Sequence, residues 1–494
     1  MTGAKEKGAE AESVTRLVVG PFNRVEGDLE VRLEVANGIV TAAYVTAPLF
    51  RGFERILEGR DPGDALIIAP RICGICSVSQ SQAAALALAG IQGLSPPSNG
   101  RIATNLIVAT ENVADHLTHF HIFFMPDFAR AAYAGRPWFA RVEARFKAGR
   151  GAAARRMLET RATLLHVLGL LAGRWPHTLA IQPGGVTRRA GPHDKMRLLA
   201  ILGAVRAGLE EQLFGAKLER VAALAAREEL DRWRARGPDG DFRLFLEIAA
   251  DVGLERLGRA YDSFLSYGAY PSDAGPLYPR GTHAGGKTAA FDPAGVAEDH
   301  TFARMTERGQ AHHPFEGSTM PDAEDETGYS WCKAPRLHGA PFETGALARQ
   351  VIDGQPLLRD LVAFAGGNAF ARVIARLIET ARTLIAMEGW VRELEPDGPW
   401  CAQANTPARG QAAGLTEAAR GALGHWLQVE GGKIARYQII APTTWNFSPR
   451  DAAGVPGPLE AALVGAAVHP GETTPLSVQH IVRSFDPCMV CTVH

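Results

Sequence analysis

Two Cys-x-x-Cys pairs at opposite ends of the chain constrain it more than any other feature. They are Cys73/Cys76 and Cys488/Cys491, and the second pair begins more than four hundred positions after the first ends, within the last seven residues. Each pair can set two thiolates on one side of a metal. Together they offer four soft donors, a set that suits nickel, zinc, iron or copper(I). Six cysteines in 494 residues exclude a disulfide framework. A thioredoxin-like role would need one such pair in a βαβ context, which the sequence does not supply. A structural zinc site stays open, although zinc ribbons close short loops. The other two cysteines, Cys332 and Cys401, are isolated and read as buried structural thiols. Four thiolates on one metal would bring residue 73 beside residue 491. The length suggests about three domain equivalents, but this constraint favours one closed unit over residues 16–494.

The rest of the chain shows alternating and helical stretches. Leu29, Val31, Leu33 and Val35 alternate with Glu30, Arg32 and Glu34, the period of a half-buried strand. Asn37-Gly38 then predicts a tight hairpin in a small antiparallel sheet over 16–45. Helical spacing marks 52–59, 74–90, 99–125, 151–173, 193–235 and 356–393, the last interrupted at Gly366-Gly367. Residues 270–345 are rich in Gly, Pro and aromatics and read as irregular sheet and loop. Residues 425–441 carry strand signals. The pattern predicts an α+β fold, mainly helical, with a central bundle of long helices and small peripheral sheets. Residues 1–15 are small and charged, and a disordered tail is expected there.

Composition excludes several partners. Lys and Arg number 52 against 53 Asp and Glu, a net charge of −1, so nothing draws the chain toward nucleic acid or an anionic membrane. No apolar run reaches about 18 residues, so no membrane span is expected. The first residues lack the apolar stretch of a signal peptide. A cytoplasmic location is therefore expected, unless a partner carries the export signal.

The strings RICGIC (71–76) and DPCMVC (486–491), with His494 last, resemble the large, catalytic subunit of nickel–iron hydrogenases. The resemblance extends through RVEGD (24–28), RGFERILEGRDP (51–62), ADHLTHF (114–120), RWPHTLAIQPGGVT (174–187), YSWCKAPR (329–336), EAARGALGHW (417–426) and APTTWNFSPRD (441–451). The complex I relatives of this fold lack the cysteines.

The resemblance implies that Cys73, Cys76, Cys488 and Cys491 bind nickel. Cys76 and Cys491 would also bridge to an iron carrying one CO and two cyanides. The proton of H2 is very weakly acidic, so heterolysis needs a metal for the electron pair and a base for the proton. Cys488, a terminal thiolate, is the candidate base. Glu26 matches the proton-relay glutamate, and burial near a thiolate should raise its pKa. Arg420 matches an arginine over the open metal face, oriented by Asp115 and Asp486 through fork-type hydrogen bonds. Arginine stays protonated, so its role reads as electrostatic and cyanide-binding. Thr443 matches a hydroxyl donor to a cyanide. Glu54, the Ile439 carbonyl and His494 match the ligands of a magnesium site. His116 and His119 read either as hydrogen-bonding residues beside the site or as satisfied core histidines. An iron–sulfur cluster needs about four ligands, and the paired cysteines are already assigned. Electrons should therefore leave through a small subunit carrying Fe–S clusters.

Several positions depart from the common pattern of the family. Gln80 stands where a His usually follows the first cysteine pair, and Asp28 where RxEGH would have His. Ile75 and Phe123 take gas-channel positions that are typically Val and Leu. The chain ends at His494, where ordinary precursors carry an extension that a protease removes after metal insertion, so this ending reads either as a mature sequence or as a type that never had one. These four features resemble the H2-sensing, regulatory hydrogenases, and imply slow turnover, oxygen tolerance, a histidine kinase partner and a dimer of heterodimers. Ala419, where Pro usually precedes the arginine, is a separate departure. The alternatives are a respiratory uptake hydrogenase and a non-catalytic, zinc-stabilised scaffold.

Overall fold

The computed structural model describes residues 14–492 and 494. Most of the expected disordered tail, residues 1–13, lies outside the described residues, and Thr15 already belongs to the first strand. The strands β1 (Thr15–Val19), β2 (Glu30–Ala36) and β3 (Ile39–Thr46) form an antiparallel sheet in that order. Asn37 and Gly38 both take positive φ, 53° and 73°, which fits the right-handed twist of a two-residue hairpin. Leu29, Val31, Leu33 and Val35 are buried, as the alternation requires.

Among the described residues five long helices follow. They are α1 (Ser77–Gln92), α2 (Ser98–Thr118), α3 (Ala152–Leu171), α4 (Pro192–Gly208) and α5 (Ala369–Glu393). Helix α2 packs on α3, α3 on α4, α4 on α5, and α5 back on α2, closing a ring of four. Its interior is aliphatic: Leu106, Ile107, Leu164, Leu168, Leu198, Leu202, Ile374 and Ile378 are all buried. Each such side chain contributes roughly 1.5–3 kcal/mol by leaving water.

The long helical stretches are more broken than their periodicity suggests. The stretch over 193–235 becomes α4, a π-helical segment Leu209–Phe214, then Leu218–Ala222 and Arg227–Arg236. Gly215, at φ +63°, ends the first of these runs. The stretch over 99–125 is α2 to Thr118, then a π-helical turn from His119 to Phe124. The break at Gly366-Gly367 is real. Gly366 closes the helix Pro356–Ala365, and the Asn368 side chain accepts Ala371 N at 2.9 Å to start α5.

A second sheet comprises β4 (Gly410–Ala418), β5 (Gly421–Glu430) and β6 (Lys433–Ile440). Strand β4 is built from small residues and was not legible as a strand. It lies on α1 so closely that a Cβ on Gly414 would sit 1.9 Å from the Ala83 carbonyl oxygen. Only glycine permits that approach. Short strands between Phe264 and Thr344 fill the Gly/Pro-rich region.

Buried charges tie these layers together. Arg349 is 1% exposed and donates to Glu379 (3.0 and 2.7 Å), Glu417 (2.6 Å) and the carbonyls of Ala418 and Ala419. Arg349→Leu should leave Glu379 and Glu417 uncompensated and cost about 3–5 kcal/mol, read as a lower midpoint of urea unfolding. Arg349→Lys should recover only part of this, because one ammonium cannot serve the same acceptors. An unchanged midpoint in Arg349→Leu would refute the assignment.

Candidate metal centre

The first cysteine pair sits at the start of α1, with Cys76 as the residue that opens the helix. In the second pair Cys488 forms an isolated parallel bridge with Glu26, and Cys491 lies in the short helical turn Met489–Thr492 that follows. All four sulfurs lie within 4.8 Å of one another and all four residues are buried. Cys73 Sγ is 3.5 Å from Cys488 Sγ, Cys76 Sγ 3.3 Å from Cys491 Sγ, and Cys488 Sγ 3.0 Å from Cys491 Sγ. These are not disulfides, whose sulfurs bond at about 2.05 Å. Two sulfurs bound to one metal at about 2.3 Å lie at most about 4.6 Å apart, and these three separations fall inside that limit. The cysteines compete for protons: hydrogen bonds from Cys488, Cys491 and Cys76 hold Cys73 well below the usual thiol range. Cys488 is held well above it, first through Cys491 and then Cys73.

Backbone contacts bring Glu26 to this cluster. Its N–H donates to Pro487 O at 3.3 Å and its carbonyl accepts Met489 N at 2.7 Å. Gly27 takes φ +79°, and a Cβ there would meet Val490 N at 2.9 Å, which explains the glycine after Glu26. Glu26 is half-buried, and its carboxyl is raised by burial and by Cys73, against Arg420. Arg24 donates to Phe123 O at 2.8 Å, so the loop carrying Glu26 is pinned to the π-helical turn. Ile75 packs into the apolar cluster containing the four cysteines, whereas Phe123 is tied to this region through its carbonyl. Asp28 is exposed.

Arg420 occupies the two-residue turn between β4 and β5 and is 3% exposed. It donates to Asp115 Oδ2 at 2.5 Å and Oδ1 at 3.2 Å, to Asp486 Oδ1 at 3.1 Å, and to the Asp486 carbonyl at 2.9 Å. Burial opposes its charge, but Asp115, Asp486, Cys488 and Cys76 hold it protonated. Burial pushes Asp115 up to about 7, with Asp486 and Cys73 adding to the rise. Burial also works against the Asp486 carboxylate, yet Arg420, His119 and Arg376 keep it below the usual range. Asp486 takes φ +58°, in the left-handed region that Asp tolerates better than most residues. Thr443 Oγ1 accepts Cys488 N at 3.1 Å, which leaves the hydroxyl proton free to point elsewhere.

His116 and His119 are buried and hydrogen-bonded: Nε2 of His116 donates to Glu379 (3.0 Å) and Nε2 of His119 to Arg483 O (2.7 Å). Gln80 Oε1 accepts from His425 Nε2 at 2.7 Å, and Tyr437 donates to the other ring nitrogen. Cys332 is buried, but Cys401 is only half-buried, contrary to the expectation for it. It lies in the stretch Trp400–Thr406 that lines an open surface cavity of about 820 Å³.

A second polar centre gathers around Glu54. His494 Nε2 is 3.4 Å from Glu54 Oε1, and Ile439 meets that oxygen through its N–H at 2.7 Å. Lys333, unforeseen from the sequence, lies 3.6 Å from Glu54 Oε1 and donates to Glu298 (2.8 Å), Gln438 (2.9 Å) and Thr319 (3.1 Å). Burial works against the Glu54 carboxylate, but Lys333 and His494 hold it at about 2. Glu54 Oε2 and Glu298 Oε1 are buried without hydrogen-bond partners, so two oxygen donors remain available for a hard cation. Lys333 lies inside YSWCKAPR, where its position was visible but its partners were not. Glu111, also unforeseen, is a buried carboxylate one helical turn before Asp115.

The family described as nickel-dependent hydrogenase matches residues 51–134 and 246–494. The chain is 30% identical to the periplasmic NiFeSe hydrogenase large subunit of Desulfomicrobium baculatum, over 98% of this chain and 96% of that one. It is 28% identical to the uptake hydrogenase large subunit of Rhodobacter capsulatus, over 97% and 95%. The reduced NiFeSe hydrogenase from D. vulgaris Hildenborough superposes with a TM-score of 0.81 at 30% identity, covering 98% of this chain and 100% of that one.

Arg420→Lys should break the fork to Asp115 and Asp486. With metal content unchanged, H2 turnover should fall about a hundredfold, the scale of losing one preorganised donor at a reacting centre. Wild-type turnover in that variant would show that the fork is dispensable.

Proposed function

The chain belongs to the nickel-dependent hydrogenases, as a large subunit that pairs with a small subunit in an oxidoreductase cleaving H2, and from that premise we propose that it serves as a slow, air-tolerant H2 sensor. The convergence of four buried sulfurs within 4.8 Å carries the metal assignment. In this reading Cys73, Cys76, Cys488 and Cys491 would hold nickel, and Cys76 and Cys491 would also hold an iron bearing CO and two cyanides. When bound, that centre supplies Lewis-acid and redox chemistry to polarise H2 and accept its electrons.

The chain's own residues then handle the proton and the charge. Cys488, a terminal thiolate in this reading, would take the proton. Glu26, whose backbone is paired to Pro487 and Met489, would carry it away. Arg420 presents a fixed positive charge, and the free hydroxyl proton of Thr443 suits donation to a cyanide. Glu54, Glu298 and His494 supply donors that suit magnesium, with the Ile439 carbonyl as a further ligand. Fe–S clusters in the small subunit would receive the electrons.

Gln80, Asp28, Ile75 and Phe123 support the sensing role. A histidine kinase partner, a dimer of heterodimers and a cytoplasmic location accompany it. The uptake reading is favoured by the relatives, which include a named uptake enzyme and a periplasmic one.

Metal analysis with infrared spectroscopy tests the centre. Nickel and iron with bands of bound CO and cyanide are expected, and zinc alone would point to the scaffold. In Glu26→Gln the bands should persist while H/D exchange is lost; retained exchange would remove Glu26 from the relay.

Ile75 is larger than Val, and Phe123 is larger than Leu. In this reading the two side chains would line the gas passage and narrow it, which would slow O2 more than the smaller H2. The double variant Ile75→Val/Phe123→Leu should therefore lose activity in air. Undiminished activity in air would reject the channel mechanism.

A further inference from the structure

We propose that Glu111 is a positioning residue for Cys76, capping from α2 the helix that Cys76 opens; this rests on the reading that the cysteine cluster holds nickel. Helix α1 begins at Ser77, and its free N–H groups at Val78 and Ser79 are those that a capping side chain at position 76 would normally satisfy. A Ser or Asp at position 76 would serve. Position 76 is instead a cysteine whose sulfur lies 3.3 Å from Cys491 Sγ and makes no cap.

Glu111 supplies the missing acceptor. Its Oε2 accepts Val78 N at 2.9 Å and Trp175 Nε1 at 3.0 Å. Its Oε1 accepts Ser79 N at 2.9 Å and Ser79 Oγ at 3.0 Å. Glu111 is 2% exposed, so water does not substitute for these bonds. Every partner is a donor. A carboxylate offers about four acceptor sites and matches them, whereas an amide would turn its NH2 toward at least one donor.

Fraying of that first turn would move the Cα of Cys76, and with it a sulfur that must stay in register with three others. The three bonds from Val78 and Ser79 hold the turn. The bond from Trp175 comes from a separate loop that meets the first turn through its own contact, His177 N to Ser77 Oγ at 3.2 Å, so losing the Trp175 bond leaves the turn held.

The test uses the chain with its small subunit, as wild type, Glu111→Gln, Ser79→Ala and Trp175→Phe. Nickel and iron per heterodimer are measured together with the infrared bands of the iron's diatomic ligands. Glu111→Gln should retain about tenfold less nickel against a chelator, the scale of a lost helix cap, or should shift those bands. Ser79→Ala should show a smaller change in the same direction, and Trp175→Phe should match wild type.

Unmoved bands and wild-type nickel in both Glu111→Gln and Ser79→Ala would overturn the proposal. Equal losses in Trp175→Phe would overturn it too, since they would mark general packing. Should Glu111→Gln not fold, Ser79→Ala against Trp175→Phe decides by the same criterion. A wild-type heterodimer with zinc and no nickel would fail differently. It would overturn the reading of the cysteine cluster, and this inference with it.

Discussion

Sulfurs from residues 73–76 and 488–491 share one small volume because the last turn of the chain is stitched to its first hundred residues. The bonds are mostly to backbone. Glu26 exchanges hydrogen bonds with Pro487 and Met489, Thr443 accepts Cys488 N, and Arg51 donates to Val490 O at 3.1 Å. Terminal residues fray unless tied down in this way, and buried backbone groups must find partners. The same contacts therefore satisfy the backbone and set the sulfurs. Asp486 accepts a left-handed conformation at this point, a strain of order 1–3 kcal/mol that the surrounding bonds overdetermine.

A cluster of thiolates and carboxylates in an apolar interior needs cations that cannot leave. Arg349, Arg372, Arg376, Arg420 and Arg483 are all buried, and each is anchored on protein acceptors. The arrangement is hierarchical. Arg349 fixes the carbonyls of Ala418 and Ala419, and so holds the turn that presents Arg420 to its own carboxylates. Burial raises the energy of every charge in this network, and the aliphatic ring of four helices supplies the compensating stability. Removing a single partner should therefore hurt more than the net value of its pair.

The sequence was most legible where one residue type had one physical reason. The hairpin at Asn37-Gly38, the break at Gly366-Gly367 and the convergence of the cysteine pairs follow from turn sterics and metal geometry. The proximity of Glu26, Asp115, Arg420, Asp486 and Thr443 came from motif resemblance, since nothing in local pattern links positions so far apart. Lys333 was missed because its partners Glu298, Thr319 and Gln438 come from three different segments. Strand β4 was missed because its small residues serve close packing on α1 rather than β propensity. The helical stretch over 193–235 was read as too continuous because periodicity survives across a π-helical turn and the glycine that follows it.

Helix α2 explains why these distances are so tightly set. Glu111 and Asp115 lie one turn apart on its buried side, and a helix rises about 1.5 Å per residue. Glu111 reaches back to the first turn of α1, which carries Cys76. Asp115 reaches Arg420, and through it Asp486 beside the second cysteine pair. His116, the next residue, joins the helix to Glu379 on α5. A rigid element thus fixes the spacing between both cysteine pairs and the guanidinium, independently of the loops that carry them. The turn that carries Arg420 and the stretch that carries Asp486 and Cys488 are irregular, and alone would leave sub-ångström placement to chance. The helix whose apolar side closes the bundle also measures out the centre.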